Sequence, residues 1–181
     1  ESEIAQAEGA TGEKPFVRHW LHTAMVRHKG EKMSKSLGNL IMMRDLLEDW
    51  PPDTLRLYMA RHHYRDAWSH SRQEMEEANE LAHKLGDALT APSGDLEILD
   101  GQPKVEEFVE AMEDDLDSPA AVACIENLAD AILLAANRGQ DVQSVQKILR
   151  SMATVFGLRL DSKEPERHVA EGWSAYLGDF T

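Results

Sequence analysis

The stretch SPAAVACIENLADAILLAAN, residues 118–137, places Val122, Ile125, Leu128, Ala129, Ile132 and Leu133 three and four residues apart. That spacing predicts a helix with one apolar face. Ser118 followed by Pro119 reads as an N-cap with proline at the first helical position. The same period recurs on either side. Met75, Ala78, Leu81, Ala82, Leu85 and Leu89 form one stripe, and Val105, Phe108, Val109, Met112 and Leu116 form another. Val142, Val145, Ile148, Leu149, Met152, Val155 and Phe156 form a fourth, closed by Gly157. Four stripes joined by short breaks and one longer loop, TAPSGDLEILDGQP (90–103), predict a mainly α protein with an up-down helical bundle.

Upstream the pattern changes. SEIAQAEGA (2–10) is helix-compatible, and FVRHWLHTAMV (16–26), rich in aromatic and β-branched residues, predicts a strand. RHKGEKMSKSLGN (27–39) supplies turn residues between Gly30 and Gly38. Residues 42–50 suggest a short helix stopped by Pro51-Pro52, with Asp53 as cap of the next. HHYRDAWSHS (62–71) reads as a loop or short extended piece ending at Ser71, a further N-cap. The segment WSAYLGDF (173–180) suggests a short terminal helix.

The formal net charge of −14 is unevenly spread. Residues 1–72 hold 11 Lys and Arg against 10 Asp and Glu, residues 73–104 hold 2 against 8, and residues 105–181 hold 6 against 15. A polyanion is met by the first part and repelled by the rest, whose carboxylates read as a solvated helical face. No apolar run approaches the roughly 18 residues of a membrane span, so no membrane partner is expected. The single cysteine, Cys124, excludes an internal disulfide, fits a reducing cytoplasm and reads as a packing residue beside the third stripe. The chain starts without Met and without a signal-peptide layout, and is expected to be cut from something longer.

Within GEKMSKSLGN (30–39), Lys32 and Lys35 lie three residues apart among Met33, Ser34 and Ser36. Ammonium groups are mobile point charges that follow phosphate oxygens, and serine hydroxyls and glycine-freed amides add hydrogen bonds without bulk. As composition alone, the same residues also describe a solvated basic turn.

The string KMSKS (32–36), followed by LGN, resembles the signature loop of class I aminoacyl-tRNA synthetases. ESEIAQAEGATGEKPFVRHWLHTAMV (1–26) resembles the end of the Rossmann-type catalytic domain of the cysteinyl-tRNA synthetases. RDLLEDWPPDTLRLYMARHHYRDAWSHS (44–71) is similar to their stem-contact region, and EFVEAMEDDLDSPAAV (107–122) and KLGDAL (84–89) to their helical bundle. The resemblance implies four parts: the catalytic-domain end with its loop (1–45), the stem-contact region (46–73), a DALR-like bundle (74–160) and a tail (161–181). It implies ATP contacts by Lys32, Met33, Ser34, Lys35 and Ser36, with Lys35 stabilising departing pyrophosphate and Lys32 supporting it. It also implies ATP with Mg2+, cysteine and tRNA(Cys) as substrates, a cytoplasmic monomer, and a piece inactive by itself. In the family pattern H-H-E-x-E-I-A-Q, ESEIAQ makes Glu3 a Zn2+ ligand whose partners fall outside this chain.

Arg61, Arg65 and Arg72, near Tyr64 and Trp68, are candidates to meet an RNA acceptor stem. His19 and His22 would face opposite sides of a strand, and His62 and His63 are adjacent, which is poor spacing for chelation. Two rival readings share these motifs: a cysteine ligase of mycothiol synthesis acting on an amino sugar, and a non-catalytic paralogue that binds proteins.

Overall fold

The computed structural model describes residues 2–160; the predicted terminal helix at 173–180 lies outside them. The described chain is mainly helical. Helix α1 is Ser2–Thr11, and the strands β1 (Val26–His28) and β2 (Glu31–Lys32) form a hairpin. Helices α2 (Met43–Asp49) and α3 (Pro52–Ala60) follow, then strand β3 (Trp68–Ser69). The long helix α4 (Arg72–Thr90) leads through β4 (Leu96–Ile98) to α5 (Gln102–Glu113). Helix α6 (Ser118–Asn137), strand β5 (Gln140–Asp141) and helix α7 (Gln143–Val155) complete the order.

Helix α6 is the hub, packing against α3, α4, α5 and α7. Its Val122, Ile125, Leu128, Ala129 and Ile132 join Met75, Leu85, Phe108, Val145 and Leu149 in one core. Helix α6 is long and apolar enough to cross a membrane, against the expectation that no apolar run approaches that length. Its apolar face is instead the centre of the bundle, and Glu126 and Asp130 both hold Lys84 of α4. The second and fourth stripes are thinner than predicted, because Val109, Leu116 and Val155 are exposed.

The segment before α4 joins this core. Leu55, Leu57 and Tyr58 of α3 are buried with the bundle residues. The Asp53 carboxylate accepts the Arg159 and Leu160 amides at 3.1 and 2.8 Å, tying the start of α3 to residues 106 and 107 positions onward. Asp53 is therefore not the predicted cap. Pro51 precedes the helix and Pro52 begins it, because the fixed φ of proline suits the first helical residue. The α6 boundary moves in the same way: Asp117, not Ser118, caps it and accepts the Ala120 amide at 3.0 Å. Ser71 caps α4 as predicted, through the Glu74 amide.

The predicted strand over 16–26 is absent except at its last residue, Val26. A strand needs a ladder partner, and before Val26 the run has the Ala24 amide on the Tyr64 carbonyl at 2.7 Å but no strand pairing. Trp20, Leu21 and Met25 are exposed, and Phe16 meets Trp20 edge-on at 5.5 Å. The three-stranded sheet that does form has the order β2-β1-β3, with β1 antiparallel to β2 and parallel to β3.

Candidate functional site

The β1–β2 hairpin presents the lysine loop. Lys29 and Gly30, with φ of 52° and 81°, make the two-residue turn, and two positive φ values in succession match the right-handed twist of paired strands. Arg27 pairs with Lys32 across the ladder, so Lys32 sits where the chain leaves the sheet. From there the loop closes on itself. Asn39 Oδ1 accepts the Ser34 amide at 2.9 Å, and Asn39 Nδ2 donates to the Lys32 carbonyl at 3.2 Å. Ser34 Oγ accepts the Leu37 amide at 3.3 Å and lies 3.2 Å from Ser36 Oγ. Gly38, at φ 62°, turns the chain back so that its amide reaches the Lys35 carbonyl.

Lys32 and Lys35 are exposed, and among the described residues neither has a carboxylate within ion-pair distance. In a chain of net charge −14, two uncompensated ammonium groups on a closed loop form a local anion attractor. Met33 and Ser34 are half-buried, and Ser36 is exposed. The sequence pattern alone assigns Asn39 no role. The signal available was its type, since Asn beside glycine commonly hydrogen-bonds nearby backbone.

The hairpin stands on a joint of aromatic and imidazole rings. Strand β3 pairs Trp68 with Val26, and the His70 amide donates to the Arg27 carbonyl at 2.8 Å. Tyr58 Oη of α3 accepts the Ser71 amide at 2.9 Å and lies 3.0 Å from His70 Nδ1. His62 stacks on Trp68 with centroids 3.8 Å apart. The rings of His28 and His70 lie 6.2 Å apart. Burial pushes the His62 and His70 pKa values below the ordinary imidazole range; the Glu74 carboxylate opposes this at both, while Arg61 adds to it at His62 and His28 adds to it at His70. Burial raises the Tyr58 phenol, against the Ser71 amide bond. Among the described residues, His28 Nδ1 is buried without a hydrogen-bond partner, and His62 Nε2 and Glu74 Oε2, which make no hydrogen bond, face each other at 3.5 Å.

The three candidate arginines do not converge on one bare basic patch. Arg61 pairs with Glu77 at 3.3 Å, and Arg72 pairs with Glu76 at 3.3 Å while lying over the Trp50 ring. Arg65 forks onto Asp115, on the turn between α5 and α6. Glu3 is exposed in the first turn of α1, and no three His, Cys, Asp or Glu side chains gather to hold a metal among the described residues. Cys124 is buried and donates to the Lys104 carbonyl at 3.2 Å, with burial raising its thiol, as a packing residue requires.

Two family models match this sequence. The class I (C) tRNA synthetase catalytic domain covers residues 1–80, and the DALR domain covers residues 107–161. The chain belongs to the class I tRNA synthetases. Among curated relatives, a cysteine–tRNA ligase of Nitrosococcus oceani is 37% identical over 94% of this synthetase chain and 37% of its own length. Cysteine–tRNA ligases of Burkholderia vietnamiensis and Burkholderia ambifaria are 37% and 36% identical, over 98% and 97% of this chain and 37% and 36% of theirs. The synthetase chain thus spans little more than a third of the length of the relatives it matches. The first family model ends within α4, so it takes in the whole lysine loop and its mount.

Proposed function

We propose that this chain is the loop-bearing and helical part of a ligase that activates cysteine with ATP and transfers it to tRNA(Cys). The observation that carries the reading is the closed loop holding Lys32 and Lys35 exposed and uncompensated, within a chain whose relatives are named cysteine–tRNA ligases. In activation, a carboxylate oxygen of cysteine attacks the α-phosphorus of ATP. The bond from that phosphorus to the bridging oxygen breaks, and pyrophosphate leaves with the electron pair. In transfer, a ribose hydroxyl of the tRNA attacks the acyl carbon and AMP departs.

The residues of this chain serve the first step by electrostatics and position. Lys35 meets the charge that gathers on the leaving phosphates, and Lys32 supports it from the loop base. Ser34 and Ser36 offer hydroxyls, and Met33 lies between Lys32 and Ser34 among the ATP contacts of this reading. Asn39 fixes the turn that spaces the ammonium groups. Mg2+ accompanies ATP as part of the substrate. Zn2+ is a different matter: Glu3 is one oxygen donor, and one carboxylate does not hold the ion. The arginines Arg61, Arg65 and Arg72 face the RNA acceptor stem in this reading, and the protein works as a cytoplasmic monomer.

Lys35→Ala in the full-length protein tests the proposal. We expect ATP–pyrophosphate exchange to fall about 10²–10³-fold, the scale for removing one preorganised charge-stabilising donor. Unchanged exchange overturns the role of the loop.

A further inference from the structure

Three donors converge on one exposed carboxylate. The Tyr64 hydroxyl donates to Asp115 Oδ1 at 2.6 Å, Arg65 Nη2 donates to the same oxygen at 2.9 Å, and Arg65 Nε donates to Oδ2. The guanidinium also lies over the Tyr64 ring, 4.9 Å from its centroid. A planar guanidinium fork with a neighbouring hydroxyl is the donor set that suits two non-bridging phosphate oxygens. The cradle is open to a large partner, since the Arg65 and Asp115 side chains are 62% and 47% exposed.

The carboxylate reaches the cradle from a strained turn. Asp115 and Leu116, at φ 53° and 58°, are consecutive non-glycine residues in the left-handed region. Such residues persist where other contacts hold them. Arg65 and Tyr64 together hold the Asp115 carboxyl down at about 2, so it is an ionised competitor throughout the neutral range.

We propose that Tyr64 and Arg65 form a docking cradle for an RNA backbone phosphate, which Asp115 occupies from within and must vacate before the RNA engages. The inference rests on the reading of this chain as part of a tRNA ligase. It adds a gate to that reading: the free protein neutralises its own guanidinium, and only a partner with a correctly placed phosphate displaces the internal carboxylate.

The test titrates a tRNA(Cys) transcript into the full-length protein and its variants at several salt concentrations. Asn tolerates the left-handed region, so Asp115→Asn keeps the turn while removing the charge; thermal melting confirms that it folds. Asp115→Asn is expected to tighten the complex roughly 2- to 5-fold, the scale of removing one exposed ion pair. The slope of log affinity against log salt steepens by about 1. Arg65→Ala weakens binding and abolishes the gain when combined with Asp115→Asn. Asp114→Asn, which removes an equal charge beside the cradle, leaves affinity within about twofold. An equal gain from Asp114→Asn, or a gain that survives without Arg65, overturns the proposal. Loss of affinity on Asp115→Asn overturns the gate while leaving Arg65 as an RNA contact. If Arg65→Ala leaves RNA binding unchanged, the cradle itself fails, and pyrophosphate exchange by the Lys35 variant still judges the ligase reading separately.

Discussion

Asn39 holds Ser34 in place: its Oδ1 accepts the Ser34 amide at 2.9 Å while its Nδ2 donates to the Lys32 carbonyl at 3.2 Å. One side chain thereby bridges both ends of the segment that carries the two ammonium groups. Asn39→Ala removes both bonds and leaves the hairpin turn at Lys29-Gly30 intact. Each such bond contributes about 1 kcal/mol net, so exchange of the Ser34 amide with solvent is expected to quicken about 5- to 30-fold. Global stability should change little, because the loop lies outside the core. Hydrogen-exchange NMR reads both quantities, and unaltered protection at Ser34 would show that the loop is ordered by something else.

The imidazoles of the joint give a pH prediction with a definite sign. His62 and His70 have folded pKa values below the ordinary 6.5, with burial as the main cause. The unfolded chain therefore binds more protons than the folded one as pH falls below about 6.5, and stability declines in that window. Above it the contribution is fully present. His28, Glu74, Arg61 and Tyr58 face these rings, with the His28 and His70 rings 6.2 Å apart. Acidification also relieves the self-repulsion of a chain of net charge −14, which acts in the opposite direction. The informative measurement is thus a difference. Urea unfolding of the wild type should lose more stability between pH 7 and 5 than a variant with His62→Gln and His70→Gln, and parallel curves would refute the assignment.

The bundle was legible in the sequence because burial repeats at the helical period: Met75, Ala78, Leu81 and Leu85 line one face of α4 and are all buried. The lysine loop was legible because its composition is local. Three features were not. The run 16–26 has strand-forming residue types, but pairing depends on a neighbour that no single segment encodes. The Arg65–Asp115 contact joins residues 50 positions apart, so nothing in the local pattern links them. Helix starts shifted by two residues at α3, where Pro51 and not Asp53 precedes the first turn, and by one at α6, where Asp117 and not Ser118 is the cap.

That boundary shift is open to direct measurement. Asp117 accepts the Ala120 amide at 3.0 Å, whereas Ser118 Oγ makes only a long bond of 3.4 Å to the His62 carbonyl. Asp117→Ala is expected to cost about 1 kcal/mol, the usual worth of a helix cap, and Ser118→Ala less than about 0.5 kcal/mol. Chemical denaturation of the two variants decides between the caps; the reverse order would restore Ser118.

Two glycines in the same domain should respond to alanine with opposite signs. Gly94 faces Gly139 where the loop before β4 meets the end of α6, and its amide donates to the Gln140 carbonyl at 2.8 Å. A Cβ on Gly94 would fall 1.9 Å from the Gly139 carbonyl oxygen and 2.2 Å from its carbon. Those atoms are backbone and cannot rotate aside, so the two segments must separate and strain the two-stranded sheet in which β4 pairs parallel with β5, Leu96 opposite Gln140. Gly94→Ala is expected to destabilise by about 1–3 kcal/mol. Gly86 sits inside α4, where a Cβ would meet nothing within 4 Å. There alanine only restricts the unfolded chain and favours the helix, so Gly86→Ala should stabilise by about 0.5–1 kcal/mol. Urea midpoints that move apart in these directions support the close approach of Gly94 to Gly139. If Gly94→Ala matches the wild type, the two backbones are not in contact in solution.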